Sequence, residues 1–299
     1  MTRRLVHGRF LVALVIGTTT LAGCLDGAQP SVQPTPTRVP EPTPVVTTYP
    51  LGTTVWYEGL LLHFDEATAE LDARGGPVNV SLRVENPGAD QSELDASIFL
   101  NVGGTRVEAN RESRVSSVPG KGLIGALLTY ELQGIAAVDD AVVEVGADPD
   151  HVAKVPLTAA GGIADTFEPT TLELKGNATA NDLKITVKRA VLRRDLPDWS
   201  QELVARLVAV TITYDVGYAG TFSGGFAFTG SNVALRLPDG SKIRARADGH
   251  SQSVELIAAK KTKAGLFSRF EIPSDLSGKY ALLVQNGDVE QAIPITFKP

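Results

Sequence analysis

From Leu51 onward the chain alternates apolar and polar residues in short runs that end at Gly, Pro, Asn or Asp. Val78, Val80, Leu82 and Val84 alternate with Asn79, Ser81, Arg83 and Glu85, and Asn86-Pro87-Gly88 stops the run. A two-residue period puts one set of side chains on one face of an extended chain, so this stretch predicts a half-buried strand and a turn. The same texture predicts strands over 55–64, 96–102, 126–132, 141–145 and 152–157. After the small-residue joint Thr158-Ala159-Ala160-Gly161-Gly162 the pattern restarts, with strands expected over 183–187, 208–214, 233–237, 280–284 and 293–297. Few convincing amphipathic helices lie between them. Strands spaced by turn signals predict an all-β chain of antiparallel sandwiches or barrels.

The halves also match in order. Leu100 to Val107 lines up with Arg236 to Ile243, Tyr130-Glu131-Leu132 with Phe270-Glu271-Ile272, Ala141-Val142-Val143 with Ala281-Leu282-Leu283, and Val155-Pro156-Leu157 with Ile293-Pro294-Ile295. The offset stays between 136 and 140 residues, which predicts a tandem duplication of one β-domain. This order of strand, Gly turn, strand, Lys/Gly loop, aromatic-Glu-aliphatic strand and final hairpin resembles the immunoglobulin-like domains of bacterial surface lipoproteins of unknown function. Those families are related in fold to the mycobacterial secreted immunoprotective antigen. The resemblance, better over 170–299 than over the first half, implies two tandem immunoglobulin-like sandwiches and no established catalytic site. The expected domains are 51–158 and 169–299, joined by a short linker over 159–168.

The N-terminus adds a place. Arg3, Arg4 and Arg9 precede the apolar run 10–17, and Thr18-Thr19-Thr20 follows it. That run is shorter than the roughly 18 residues a spanning helix needs, so an export signal over 1–23 is expected instead of a permanent span. Leu21-Ala22-Gly23-Cys24 resembles the lipobox of bacterial lipoproteins, which implies cleavage before Cys24 and acylation of its thiol. Each buried CH₂ contributes about 0.8 kcal/mol, so two acyl chains hold a soluble domain on a membrane where one does so only marginally. Residues 24–50 carry Pro30, Pro34, Pro36, Pro40, Pro42, Pro44 and Pro50 among Gln, Ser, Thr and Val, the composition of a semi-rigid polyproline stalk.

Charge narrows the partners. The cleaved chain would keep 25 basic against 34 acidic side chains, a balance of −9, which argues against broad nucleic-acid binding. Cys24 is the single cysteine, so acylation leaves no thiol for a disulfide and the fold must rest on core burial.

Candidate chemistry is thin. The three histidines beyond residue 24 are His63 in an expected strand, facing outward, and His151 and His250 in turns. No Gly-x-Ser-x-Gly elbow or His-Glu-x-x-His helix accompanies them, so no catalytic residue is assigned. Asp139, Asp140, Asp148 and Asp150 offer hard oxygen ligands that suit Ca²⁺, but their spacing does not fit an EF-hand and Asp-Pro turns are ordinary; neither metal nor cofactor is expected. Gly120-Lys121-Gly122 lacks the rest of a phosphate loop.

The candidate binding loop is Tyr218 to Gly230, where Tyr218, Phe222, Phe226 and Phe228 are interleaved with glycines and have no counterpart in the first half. Aromatic rings give contact area at low entropy cost, and the competing reading points Phe226 and Phe228 into a strand core. Lys260, Lys261 and Lys263, with Arg193-Arg194, are scattered charges or a surface for anionic polymer or lipid headgroups.

The reading is a lipid-anchored extracytoplasmic binding or interaction protein without catalytic activity. It would be held on the cell membrane through Cys24, with an envelope protein or polysaccharide as ligand. Two alternatives stay open: an envelope hydrolase or carbohydrate-active enzyme, and a structural spacer or assembly factor.

Overall fold

The computed structural model describes residues 43–110, 113, 115, 117–199, 201–246 and 254–297. The expected signal segment, Cys24, most of the Pro-rich stretch and His250 lie outside the described residues.

Twenty-one strands make up the described chain, with only single-turn 3-10 segments between them. The first eight are β1 (Val45–Tyr57), β2 (Leu60–Leu71), β3 (Gly75–Glu85), β4 (Ile98–Val102), β5 (Thr105–Glu108), β6 (Leu123–Gln133), β7 (Val142–Val145) and β8 (Ala153–Pro156). They form two antiparallel sheets, ordered β1-β2-β3-β6 and β5-β4-β7-β8. Leu60, Leu62 and Phe64 of β2 and Val78, Val80, Leu82 and Val84 of β3 are buried at every second position. They meet Leu100, Val143, Val145 and Val155 of the other sheet in one core, as two inward faces of period two must.

The remaining strands are β9 (Thr170–Glu173), β10 (Asn177–Ala180), β11 (Leu183–Arg193), β12 (Asp195–Leu196), β13 (Gln201–Glu202), β14 (Leu207–Tyr218), β15 (Phe226–Phe228), β16 (Val233–Arg236), β17 (Lys242–Arg244), β18 (Glu255–Ile257), β19 (Lys261–Pro273), β20 (Gly278–Asn286) and β21 (Val289–Phe297). One sheet runs β10-β11-β14-β19 with β9 also on β11, and the other runs β17-β16-β20-β21. A second core fills the space between them, built on Leu183, Ile185, Val210, Ile212, Phe270 and Leu282. With β9 and β10 together in the place of β1, the strand order repeats that of the first half. Two ribbons are added, β12 with β13 and β15 with β18.

The backbone moves several expected boundaries. The strand expected over 55–64 is two strands, because Glu58 (φ 52°) and Gly59 (φ 80°) form the two-residue turn of a β1–β2 hairpin. The stretch expected as stalk up to residue 50 is already β1 from Val45, where Val45 to Pro50 pair with Leu71 to Glu66. β-Branched Val45, Val46, Thr47 and Thr48 favour a strand, and Pro50 is accommodated beside a register shift between Pro50 and Thr53. The 159–168 linker is packed: Asp165 bridges to Lys154 and Phe167 enters the first core.

Register also corrects the alignment of the halves. Leu100 pairs with Val143 and Leu235 pairs with Leu282, so Leu100 corresponds to Leu235 and Val143 to Leu282. Each is one residue away from the sequence match. The second turn is one residue longer, and a slip of one position would have turned the core side chains to the other face.

Candidate functional site

The aromatic stretch is split by its strands. Tyr218 ends β14 beside Lys261, and its ring lies 5.5 Å from that of half-buried Phe226. Phe228 is 4 % exposed and meets Tyr214 edge-on at 5.9 Å, so it belongs to the core. Phe222 is 67 % exposed and lies over Gly224, where an added Cβ would fall 2.5 Å from its ring. Leu256, on the outer face of the β15–β18 ribbon beside Ala227, and Val254 just before it are exposed as well. Of the four aromatic residues, one is displayed, two meet at a tilt beside the ribbon and one packs inside.

The other candidates are tied down locally. His63 lies in β2 between Thr54 Oγ1, at 2.9 Å from Nδ1, and Glu85 Oε2, at 3.1 Å from Nε2. Asp139 accepts from the Tyr49 hydroxyl at 3.2 Å, and the Asp150 N–H donates to Asp148 within its own turn. Among the described residues, no three His, Cys, Asp or Glu side chains group as a metal site. Lys121 (φ 57°) is part of a tight turn closed by Gly122 N–H on the Pro119 carbonyl. Lys263 is paired with Glu255.

A cleft of about 570 Å³ opens where edge strands β5 and β6 part. Glu93, Asp95 and Glu108 line it together with Leu94, Ile98 and Leu128.

The most highly built polar cluster joins the two sandwiches. The Asp195 carboxylate takes the Gly59 N–H at 2.7 Å, and Glu202, its cross-strand neighbour in the β12–β13 ribbon, takes the Glu58 N–H at 2.9 Å. Two carboxylates of the second sandwich thus satisfy two consecutive donors at the hairpin tip of the first, where a buried unpaired N–H would cost about 1–3 kcal/mol. Gly59 is required there, because a Cβ would lie 2.7 Å from the Cα of Pro197. Arg193 grips Asp195 through two nitrogens at 2.6 and 2.8 Å and covers Trp56 at 5.4 Å. Glu202 Oε1 lies 3.0 Å from His151 Nε2, and both side chains are under a tenth exposed.

The linker seals this joint. Phe167 has a left-handed backbone (φ 57°), a conformation that costs a bulky residue about 1–3 kcal/mol and persists only when its surroundings hold it. Its ring is held between Tyr57 at 6.2 Å, His151 at 4.9 Å and the Arg194 guanidinium at 4.3 Å. Burial pushes the Glu202 carboxyl up to about 7, against the hydrogen bonds from His151 and the Glu58 N–H. Burial likewise raises Tyr57, with the charges of Glu202, Glu58 and Asp148 adding to it.

The sequence gives little sign of this cluster. Its members come from 57–59, 148–151, 165–167 and 193–202, and none stands in a motif. The Glu58-Gly59 dipeptide between apolar alternations was the available signal, as a hairpin turn. Comparison with known protein families and with curated proteins finds no match for the chain.

Proposed function

We propose that the protein is a lipid-anchored, extracytoplasmic binding protein without catalytic activity, displaying two immunoglobulin-like sandwiches above the membrane. Cys24 is its anchor, and its ligand is an envelope protein or polysaccharide. The observation that carries the binding reading is Phe222, two-thirds exposed at a ribbon that the first sandwich lacks, with Leu256 and Val254 exposed along the same ribbon. Isolated apolar side chains on a surface are ordinary, whereas several on one added element mark a contact face.

The kinship with immunoglobulin-like domains is supported by the repeated strand order and by Tyr280. That residue lies near the start of the central strand β20, and its hydroxyl donates to the carbonyl of Leu276 four residues upstream, the arrangement called a tyrosine corner.

Two measurements test the proposal. The mass of the mature N-terminus should show Cys24 carrying acyl chains, and a free thiol there would sink the anchor. The purified chain should be retained on isolated envelope polysaccharide or on envelope protein, and Phe222→Ala should lose at least tenfold in affinity at unchanged melting temperature. Equal retention of the variant would remove the ribbon from the binding face.

One observation favours a second reading, an envelope hydrolase: Glu93, Asp95 and Glu108 share a cleft. Glycoside hydrolysis uses two carboxyl groups about 5–9.5 Å apart. Turnover of an envelope glycan that Glu108→Gln abolishes would establish that reading over the first.

A further inference from the structure

The contacts between the sandwiches converge on one carboxylate that is buried beside a second. Glu202 takes the Glu58 N–H and faces Tyr57 from the hairpin tip, His151 from the β7–β8 connection and Asp195 from its own ribbon, while the charges of Asp148 and the Glu58 carboxylate bear on Tyr57. Three arginines balance the neighbouring acids: Arg193 on Asp195, Arg194 on Asp165 and Arg269 on Asp198. No arginine contact is made to Glu202 or Glu58 through these pairs. Among the described residues, their carboxylates accept from backbone N–H donors, at Glu58 and Asp95 respectively, and Glu202 also meets His151.

We propose that this joint is a proton-linked hinge, in which uptake of a proton by Glu202 locks the two sandwiches together and its loss loosens them. The inference does not depend on what the protein binds. When Glu202 takes a proton from solvent, its O–H donates to the His151 Nε2 lone pair while the other oxygen still accepts the Glu58 N–H. Both hydrogen bonds survive and no net charge is buried next to Asp195. When Glu202 is ionised, the same oxygens keep their acceptor roles if Nε2 carries the proton, but a negative charge is enclosed beside the Asp195 carboxylate.

The direction of the linkage follows. The carboxyl is raised to about 7 in the closed joint, against an ordinary value of 4.5 in an open, hydrated one. The closed form therefore binds the proton more tightly, and its advantage is full below 4.5 and lost as pH rises through about 7. Each unit is a factor of ten, so the opening equilibrium shifts by at most on the order of a hundredfold across that window. Burial also raises the Glu58 carboxyl, which accepts from the Asp95 N–H of its own sandwich.

The amides of Glu58 and Gly59 report the opening directly, because each donates across the joint, to Glu202 and to Asp195. Hydrogen exchange of the full chain in detergent, with each rate divided by that of an unstructured peptide at the same pH, gives their protection. It should fall together by ten- to a hundredfold between pH 5 and 8.5, while the amide of buried Val80 stays constant. Glu202→Gln keeps a donor for His151 and an acceptor for Glu58, so both amides should stay protected in that variant at every pH. Glu58→Gln should retain most of the pH dependence. Constant protection in the natural protein, pH dependence that survives in Glu202→Gln, or low protection in that variant at every pH would each overturn the hinge.

Discussion

Lys188 lies 3.0 Å from Asp215 at the bulge of the second sandwich, at the position where the first sandwich pairs Asp65 with Arg83 at 2.6 Å. The register breaks between Phe64 and Glu66 on β2 and between Val187 and Arg189 on β11, so Asp65 corresponds to Lys188 and Arg83 to Asp215. The signs are exchanged and the geometry is kept. Lys188 holds the Asp215 carboxyl below its ordinary range, helped by the Gly265 N–H, as Arg83 does for Asp65. A bulge leaves one residue unpaired and turned outward, and the constraint there is one charge of each sign, whichever strand carries which.

Reversing one member of the pair should therefore cost more than reversing both. Lys188→Asp sets two carboxylates together and should destabilise by about 0.2–1 kcal/mol, the range of an exposed pair. Adding Asp215→Lys should restore most of that loss. A double-mutant cycle in urea checks this, and simple additivity of the two changes would contradict it.

The two tyrosine hydroxyls predict opposite outcomes. Tyr130 is fully buried and its hydroxyl has no partner among the described residues, and the corresponding residue of the second sandwich is Phe270. Tyr130→Phe should stabilise by about 1 kcal/mol, because it removes an unpaired buried polar group. Tyr280→Phe removes the bond to the Leu276 carbonyl and should destabilise by about 1 kcal/mol. Paired melting curves would show shifts of opposite sign.

Asp195→Ala leaves the Gly59 N–H without its acceptor and Arg193 without its carboxylate. Removing one partner of a buried ion pair costs about 3–5 kcal/mol. Asp195 is itself 3 % exposed and Arg193 a fifth exposed, so a loss of about 3 kcal/mol is expected, at the lower end. Because the clasp lies between the sandwiches, urea unfolding of this variant should separate into two transitions. A single transition at unchanged midpoint would show that the clasp contributes nothing.

Phe222 and Phe228 should separate binding from folding. Phe228→Ala empties a core position and should cost about 3–5 kcal/mol. Phe222→Ala should stay within about 0.5 kcal/mol of the parent, as surface substitutions do. Chemical denaturation of both, beside the retention assay, distinguishes a displayed ring from a packed one.

Alternation made much of the fold legible. Val78 to Val84 and Val208 to Tyr214 form β3 and β14 because period two is a local property that each segment carries by itself. The hairpin at Glu58-Gly59 was hidden because a turn of two residues barely interrupts the apolar run from Val55 to Phe64. β5, β12, β13 and β15 are too short, at two to four residues, to carry a period at all. The aromatic loop was legible as a set of residues, but its division into Phe222 outside and Phe228 inside depended on where β15 pairs with β18.

The sequence by itself determined an all-β chain and the strands of its two cores, since burial of every second residue is written into the order of side chains. Tertiary structure alone decided that Asp195 and Glu202 reach Glu58 and Gly59, that His151 meets Glu202, and that Asp65 and Lys188 play one part with opposite charge. Those relationships join positions from 51 to 144 residues apart or equate unlike residues. Hydrogen-bond geometry and register create them, and neither exists until the strands have paired.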